Sequence, residues 1–531
     1  MKQHKPKNIN DMFDNHPKGL LAAALSNMGE RFGYYIMNAV LLLFLCSKFG
    51  ISDNVAAIIY AVFYFLIYVM ALPGGIIADK LQNYKGTIMA GLITMAVGYL
   101  ILSIPLNVNS DNTTFILVIT CIALFIIASG NGLFKGNLQA IVGQMYDNLE
   151  AEAAERGPEA LAQAKTKRDP GFQIFYVFIN IGGVLAPFVA PGLRSWWLKQ
   201  NGMTYNSDLP ALCHQYINDA TGMDATQLTN LQTWMAESNS SFDPSNMQAA
   251  CASYLDVFNT GVHYSFIASV VAMLLSLAIF MAFRKKFPAP AKKVETGAVE
   301  YTTEEKATMA REIKQRMAGL YAVLGICVFF WMLFHQNGQS LSLFARNFVN
   351  SESVAPEVWQ FLNPALVILL TPVIMLIFGT RWGKKISTPR KIVLGMFFAA
   401  CAYLFLMLFS LVMGYPSGTA FMNQDAETIA SMKADAWVLI VTYFFLTVAE
   451  LFISPLGLSF VSKIAPKHIQ GICQGLWLSA TAIGNLLIMV GSFLFNSLPN
   501  LWMTWAVFMG ICLIAMGVML GMVKWLERVA Q

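Results

Sequence analysis

The chain has 531 residues, of which 56% are hydrophobic and only 12% are charged. Soluble proteins contain about 25% charged residues, so this composition excludes an ordinary soluble protein. The formal net charge of +5 comes from basic residues gathered in certain loops, and it does not indicate a nucleic-acid-binding protein.

Apolar segments follow one another along the whole chain, and each is about as long as the ~20 residues that a helix needs to span a bilayer. They predict an all-α, multi-pass protein of the cytoplasmic (inner) membrane, with the lipid bilayer around it. The twelve predicted helices cover residues 18–47, 54–79, 87–105, 114–145, 171–198, 261–284, 317–348, 357–379, 390–414, 435–463, 469–496 and 501–524.

The placement of Lys and Arg predicts the orientation. Two of the 35 basic residues, Arg31 and Lys135, lie deep in predicted helices, and most of the others lie in the termini and at the even-numbered loops. Because cytoplasmic loops are rich in Lys and Arg, we expect both termini to be cytoplasmic. The polar segment 1–17 does not resemble a cleavable signal. The five basic residues at the odd-numbered loops are Lys48, Arg194, Lys199, Arg346 and Lys433.

A polar linker at 285–316 separates two blocks of six helices, an N-terminal bundle over 18–284 and a C-terminal bundle over 317–531. The loop after helix 2, GGIIADKLQNYKG, and the loop after helix 8, GTRWGKKISTPRK, place small and basic residues at equivalent points of the two blocks. This arrangement is typical of a major facilitator, whose substrate site lies near the midplane between the halves.

Two insertions interrupt this pattern. The Ala- and Glu-rich segment in 147–170 predicts a short surface helix. The outer loop at about 199–260 is long for a connection between packed helices, and it is interpreted as a structured insertion, with substrate capture as the alternative. It contains Cys213 and Cys251, which form a disulfide in an oxidising compartment or remain free thiols. No Cys/His cluster indicates a metal site.

Charged residues inside the N-terminal bundle indicate a water-filled cavity, because a charge in hydrocarbon costs roughly 3 kcal/mol or more. Glu30 and Arg31 are neighbours on helix 1, about 100° apart around its axis. Lys135 lies among Gly130, Gly132 and Gly136 in GNGLFKG on helix 4, where small residues allow helices to approach closely. Lys135 is expected either to pair with Glu30 or to bind an anionic group of a substrate.

Two further residues carry charge or protons in the C-terminal bundle. Glu450 on helix 10 precedes Pro455, which frees a backbone carbonyl, and no cation lies deep in the predicted helices of this half to pair with it. Glu450 opposite Lys135 forms a bipolar site that suits a zwitterion with separated ends. A free imidazole titrates near neutral pH, so His335 on helix 7 is interpreted as either a proton carrier or a packing residue.

Several motifs occur in order at the expected helices. They are NMGERFGYY, GLFKGNLQAIVGQMYD, FYVFINIGG, FWMLFHQNGQS, FLNPALVILLTP and ELFISPLGLSFVSKIAPKHIQGICQGLW. Together they resemble the signatures of the proton-dependent oligopeptide transporters, the peptide branch of the major facilitators. The resemblance covers nearly the whole chain apart from the termini and the two insertions.

This resemblance implies a symporter that imports di- and tripeptides by alternating access, with the proton as coupling ion, no other cofactor and no metal. A monomer is expected. It implies proton coupling by Glu30, Arg31 and Lys135, and His335 is the further candidate for a proton carrier. It implies that the residues contacting the peptide are Arg31, Tyr34, Tyr35, Tyr68, Lys135, Asn180, Trp331, Asn363, Glu450, Ser454 and Trp477.

Three positions depart from the family pattern. Asn27 replaces a glutamate, Asn38 replaces an arginine, and His335 replaces an acid. These changes leave one alternative open, a transporter of a small anion or modified peptide on the same scaffold. The long outer loop leaves another, a membrane receptor that binds peptide without moving it. An enzyme is not expected, since the sequence contains no catalytic triad pattern or phosphate-binding loop.

Overall fold

The computed structural model describes residues 16–109, 111–165, 167–288, 303–350, 354–381, 383–464 and 470–529. Within these ranges, twelve helices are long and apolar enough to cross a membrane, which confirms the predicted number. We number them α1 to α12: Leu20–Phe49, Asp53–Ala78, Tyr84–Ser103, Thr113–Ala154, Ile174–Gln200, Pro244–Ala282, Ile313–Phe348, Pro356–Phe378, Thr388–Met413, Trp437–Ser454, Leu476–Ser497 and Leu501–Val529.

Several of these helices are interrupted. The helix Thr303–Phe334 gives way to a 3₁₀ turn at His335–Gly338 before Ser340–Phe348 completes α7. Such breaks in long helices often mark functional hinges. In the first half, α2 consists of Asp53–Val69 and Ala71–Leu81, α5 of Arg168–Leu185, Ala186–Phe188 and Val189–Gln200, and α6 of Pro244–Asn246 and Met247–Ala282. In the second half, α8 consists of Pro356–Phe361 and Leu362–Gly379, and α11 of Gln470–Leu487 and Met489–Ser497.

The predicted boundaries are wrong at both insertions. Helix α6 begins at Pro244 and not at 261, because residues 247–260 belong to the helix Met247–Ala282, which the 3₁₀ turn Pro244–Asn246 precedes. The insertion between α5 and α6 therefore covers 201–243 and not 199–260. The surface helix predicted in 147–170 is present as Pro158–Lys165, but α4 itself continues to Ala154. Residues 289–302 of the predicted linker lie outside the described ranges.

Each half is held together by helix packing. In the first half α3 packs on α4 and α6 on α1, and in the second half α9 packs on α12 and α7 on α11. Gly74 on α2 and Gly132 on α4 touch backbone to backbone, since a Cβ at Gly74 would lie 2.1 Å from the Gly132 carbonyl oxygen. Gly130 also contacts α3 closely, since a Cβ there would lie 2.7 Å from the Gly91 carbonyl oxygen, whereas Gly136 has open space beside it. The predicted close contacts of helix 4 thus involve two of its three glycines.

The two halves meet along α2 with α11 and along α5 with α8. We call the end of the molecule that carries the loops α1–α2, α5–α6, α7–α8 and α9–α10 the odd-loop end. Among the described residues, three ion pairs join the halves there, one of them through the insertion between α5 and α6. Arg194 binds Glu357 at 2.7 Å with both side chains buried, and Arg346 binds Asp53 at 2.8 Å. The passage between the halves is therefore closed at the odd-loop end.

Candidate functional site

A buried ion pair on α1 forms one side of the candidate site. Arg31 Nε donates to Glu30 Oε2 at 2.5 Å, and Arg31 Nη2 donates to Glu30 Oε1 at 2.7 Å. Asn131 Nδ2 on α4 donates to the same Oε1 at 2.9 Å. Glu30 is 0% and Arg31 5% exposed. Two charge-assisted hydrogen bonds from Arg31 and one from the Asn131 amide thus stabilise this carboxylate. A buried charge requires such partners, because it has lost its hydration by water.

Lys135 lies on the same helix as Asn131 but contacts a ring. Its Nζ lies 4.1 Å from the centroid of the Tyr68 ring, a distance typical of a cation–π interaction. Among the residues that the structure describes, Lys135 is in no ion pair, and the acceptor predicted for it, Glu30, is taken by Arg31. The ammonium group is therefore available to a ligand.

Tyrosines on α1 and α2 form a wall beside these charges. The Arg31 guanidinium lies 4.7 Å from the Tyr34 ring centroid, and the rings of Tyr34 and Tyr35 meet edge to face at 5.4 Å. Asn38 accepts hydrogen bonds from Tyr34 at 3.3 Å and from Tyr60 at 3.1 Å. Asn38, which departs from the family pattern, thus fixes two tyrosine hydroxyls in place. Asn27, the other asparagine that departs, is buried on α1.

His335 lies where α7 is interrupted, inside a set of aromatic rings. Its ring stacks on Trp331 at 5.2 Å and meets Tyr64 edge to face at 5.0 Å, and Tyr68 lies 6.5 Å away. Trp477 on α11 extends the set, 6.5 Å from Trp331. His335 is 6% exposed, and its Nδ1 has no hydrogen-bond partner in the described part of the chain. This packing is compatible with both roles that the sequence leaves open for the imidazole.

Glu450 forms the opposite side of the site. Asn363 Nδ2 on α8 donates to Glu450 Oε2 at 2.9 Å and approaches Thr447 Oγ1 at 3.1 Å. No ion pair of Glu450 occurs among the described residues. Ser454 follows one turn later on α10 and is half-buried. This carboxylate therefore has an amide to orient it and no charge to neutralise it.

The two sides meet across α5. A Cβ built on Gly183 would lie 3.1 Å from Pro364 Cβ, next to Asn363, and 3.3 Å from the Tyr35 ring. Asn180 lies one turn earlier on α5, is nearly buried and donates to the Tyr176 carbonyl oxygen at 3.1 Å. Helices from both halves thus meet here, Tyr35 beside Gly183 and Pro364, and Tyr68 beside the His335 ring. That the eleven residues named from the sequence contact a peptide stays a prediction.

Sequence reasoning did not identify several residues of this site. Asn131 precedes Lys135 by one turn and Thr447 precedes Glu450 by three residues, so helical spacing places each on the face of a predicted residue and was the available signal. The tyrosines Tyr60 and Tyr64 repeat at the same four-residue spacing that leads to Tyr68. Groups of three His, Cys, Asp or Glu side chains that could hold a metal ion are absent from the described residues.

The predicted cysteine pair lies away from this site, in the α5–α6 insertion and at the start of α6. Cys213 and Cys251 are buried, their thiols are in contact, and both are free in the structure. Burial and the adjacent Cys251 thiol raise the pKa of the Cys213 thiol. The disulfide between them stays a prediction.

The chain is similar to a known family along most of its length. The model of the POT family matches residues 85–299 and 289–508. The chain is 28% identical to the dipeptide and tripeptide permease B of Shigella dysenteriae over 540 residues, which cover 96% of each protein. It is 26% identical to the peptide transporter YePEPT of Yersinia enterocolitica over 511 residues, which cover 89% of this chain and 87% of that one.

Solved structures share its fold. The peptide transporter POT in complex with sulfate superposes with a TM-score of 0.68 at 20% identity, covering 97% of this chain and 96% of that one. A POT family transporter in complex with 5-aminolevulinic acid superposes with a TM-score of 0.66 at 20% identity, covering 98% of each. These likenesses confirm the predicted major facilitator fold.

Proposed function

Because this chain belongs to the POT family, we propose that it is a proton-coupled symporter that imports di- and tripeptides by alternating access. Its relatives are named as dipeptide and tripeptide permeases and peptide transporters. They are bacterial, and a multi-pass protein of this kind belongs in the inner membrane. The observation that carries the proposal is a pair of charges that form no ion pair with any described residue, Lys135 in one half and Glu450 in the other.

A peptide has a carboxylate and an ammonium at its two ends, and the site offers one partner for each. Lys135 binds the carboxylate as a point charge, and Arg31 adds a planar fork that matches carboxylate geometry. Glu450, oriented by the Asn363 amide, binds the ammonium group. Since recognition of the termini does not depend on side chains, this arrangement suits peptides of varied sequence.

The remaining predicted residues lie between these ends. The peptide backbone forms hydrogen bonds with polar groups of five of them, Tyr34, Tyr35, Tyr68, Asn180 and Ser454. The rings of Trp331 and Trp477, which meet at 6.5 Å, supply an apolar surface for side chains of the peptide.

The Glu30–Arg31 pair couples peptide binding to the proton. A proton on Glu30 removes its negative charge and weakens both bonds to Arg31, so the guanidinium becomes available to the peptide carboxylate. Loss of that proton on the cytoplasmic side restores the pair and weakens carboxylate binding. The ring of His335, whose Nδ1 has no described partner, is the second group proposed to carry a proton.

Alternating access requires the odd-loop end, which we propose faces the outside, to open and close. In the structure it is closed by Arg194 with Glu357 and by Arg346 with Asp53. A peptide enters when the halves rock apart at this end and these pairs separate. It leaves on the cytoplasmic side, as the site between the two bundles is exposed in turn.

The test is uptake of labelled dialanine by proteoliposomes that contain the purified protein, with an inward proton gradient. The proposal predicts accumulation above the outside concentration, and collapse of the accumulation when an uncoupler is added. Saturable binding without uptake would instead favour a peptide receptor. If the proteoliposomes take up a small anion and dialanine does not compete with that uptake, the protein carries a specialised anionic substrate.

A further inference from the structure

The α5–α6 insertion is a folded element and not a loose loop. It contains the helices Leu209–Asp219 and Ala225–Ser238. Met203 and Asn239 close it with an antiparallel bridge at its base. The second helix begins with a capping box, in which Asp224 accepts from the backbone of Gln227 and Gln227 bonds back to the backbone of Asp224. These features give the insertion a fixed shape.

The insertion is fastened to the half from which it emerges. Both of its ends continue into helices of the first half, α5 and α6. The Tyr254 hydroxyl on α6 donates to the Thr204 carbonyl oxygen at 3.1 Å and accepts from the Asn206 backbone at 3.0 Å. His214 Nε2 bonds to the Ser47 carbonyl oxygen at the end of α1 at 2.7 Å. The insertion therefore moves with the first half.

The same insertion also reaches across to the loop between α9 and α10 of the second half. Asn230 Nδ2 donates to the Gln424 carbonyl oxygen at 2.9 Å, and Asn230 Oδ1 accepts from the Ala426 backbone at 2.9 Å. Gln227 Nε2 donates to Asn423 Oδ1 at 3.1 Å. Asn230 is 3% exposed, so its amide is embedded in this contact and satisfies a free N–H at the start of the helix Ala426–Met432.

An ion pair adds to this contact at a second point. Lys433 Nζ lies 3.2 Å from Asp208 Oδ2, and both side chains are largely buried. The receiving loop is itself fixed to the second half. Ala434 donates to the Phe348 carbonyl oxygen of α7 at 2.7 Å, and the Tyr415 hydroxyl donates to the Met432 carbonyl oxygen at 2.7 Å. The contact thus joins two bodies that separate when the odd-loop end opens.

We propose that the α5–α6 insertion is a strap that holds the odd-loop end closed and releases the α9–α10 loop in each transport cycle. Release occurs on the side of the second half, because covalent connections and buried hydrogen bonds hold the strap to the first half. The strap acts together with the ion pairs Arg194–Glu357 and Arg346–Asp53 beneath it. This inference rests on the alternating access proposed above.

A reversible cross-link tests whether the strap must detach. The double variant Asn230→Cys/Ala426→Cys places two thiols where the Asn230 amide now contacts the Ala426 backbone. The control Met203→Cys/Asn239→Cys places two thiols across the bridge at the base of the strap, within one half. We expect oxidation to lower dialanine uptake at least tenfold in the first variant, with recovery after reduction, and to leave the control unchanged.

If the oxidised Asn230→Cys/Ala426→Cys protein imports dialanine as fast as its reduced form, the strap does not detach and the inference is wrong. Uptake by the reduced protein reports on the proposed function separately. If the reduced protein does not import peptide at all, the proposed function fails in this assay. Whether the strap detaches is then tested by a distance measurement that does not depend on transport.

That measurement uses spin labels at two exposed positions near the odd-loop end, Asn109 of the first half and Ser431 of the second. We expect Asn230→Ala to raise the fraction of molecules with a long label separation several-fold. The matched control is Thr229→Ala, which removes an exposed hydroxyl that bonds only within its own helix. An unchanged distance distribution in folded Asn230→Ala protein would contradict the strap.

Discussion

The two halves of the molecule hold their buried carboxylates in opposite ways. Glu30 in the first half receives two bonds from Arg31 and one from Asn131, and it is fully buried. Glu450 in the second half receives one amide bond from Asn363 and is half-buried. The first carboxylate is neutralised by the protein itself, and the second keeps a charge that no described residue compensates.

This difference separates two tasks that an acidic residue can perform in a transporter. A paired carboxylate releases its partner cation when it binds a proton, so Glu30 is suited to coupling proton binding to peptide binding. An unpaired and oriented carboxylate binds a cationic group of a substrate, so Glu450 suits recognition. Lys135 is the counterpart of Glu450 in the first half, since its contact is the Tyr68 ring and not an acid.

The strongest test of this comparison removes the charge of Glu450 and keeps its shape. Truncating one partner of a buried charge pair costs about 2–5 kcal/mol, and each 1.4 kcal/mol is tenfold. We expect Glu450→Gln to lower the uptake of dialanine about 100-fold or more. Initial rates in proteoliposomes measure the effect, with Glu427→Gln on the exposed α9–α10 loop as a matched control. Uptake near the unmodified level would remove Glu450 from the site.

The next effect concerns the cation in the first half. Lys135→Gln removes the ammonium group, but Arg31 remains to bind the peptide carboxylate, so we expect a loss of about 10- to 100-fold. Competition between labelled dialanine and unlabelled peptides measures the apparent affinity. An unchanged affinity would mean that the contact with Tyr68 is the whole role of this lysine.

A third change addresses coupling and not binding. Glu30→Gln cannot gain or lose a proton, so we expect uphill accumulation of dialanine to disappear while exchange of inside for outside peptide continues. Counterflow in proteoliposomes loaded with unlabelled dialanine separates the two. If the Glu30→Gln protein still concentrates peptide under a proton gradient, coupling uses another group, and His335→Gln becomes the variant to measure.

The smallest expected effect is that of Asn131→Ala. Asn131 donates to Glu30 at 2.9 Å, one of three hydrogen bonds that position this carboxylate beside Arg31. Without this bond the Glu30–Arg31 pair is held less firmly, so we expect the accumulation ratio of dialanine to fall by less than tenfold while counterflow continues. An accumulation ratio equal to that of the unmodified protein would show that the amide has no part in coupling.

Much of this site followed from the sequence because membrane burial makes charge conspicuous. Charged residues are rare in apolar segments, which singled out Glu30, Arg31, Lys135 and Glu450. The sequence also predicted the helix and the half in which each lies, and the lack of a cation deep in the helices of the second half. The twelve helices followed from the same contrast between apolar and polar residues.

Partner choice did not follow, since it depends on side-chain geometry. Sequence reasoning allowed Lys135 to pair with Glu30, whereas the structure gives that carboxylate to Arg31 and Asn131. The start of α6 at Pro244 was also missed, because its first turns are polar and extend beyond the apolar segment. The contacts of Asn230 across the halves join residues almost 200 positions apart, which no local pattern indicates.

The central claim, that the two ends of a peptide are read by different halves, is tested most directly by competition with capped peptides. Dialanine, N-acetyl-dialanine and dialanine amide would each compete with labelled dialanine in the unmodified protein and in Glu450→Gln and Lys135→Gln. We predict that Glu450→Gln abolishes discrimination against the acetyl cap and leaves discrimination against the amide cap unchanged. Lys135→Gln is predicted to weaken discrimination against the amide cap, since Arg31 remains, and to leave discrimination against the acetyl cap unchanged. Equal loss of both discriminations in either variant would contradict the claim.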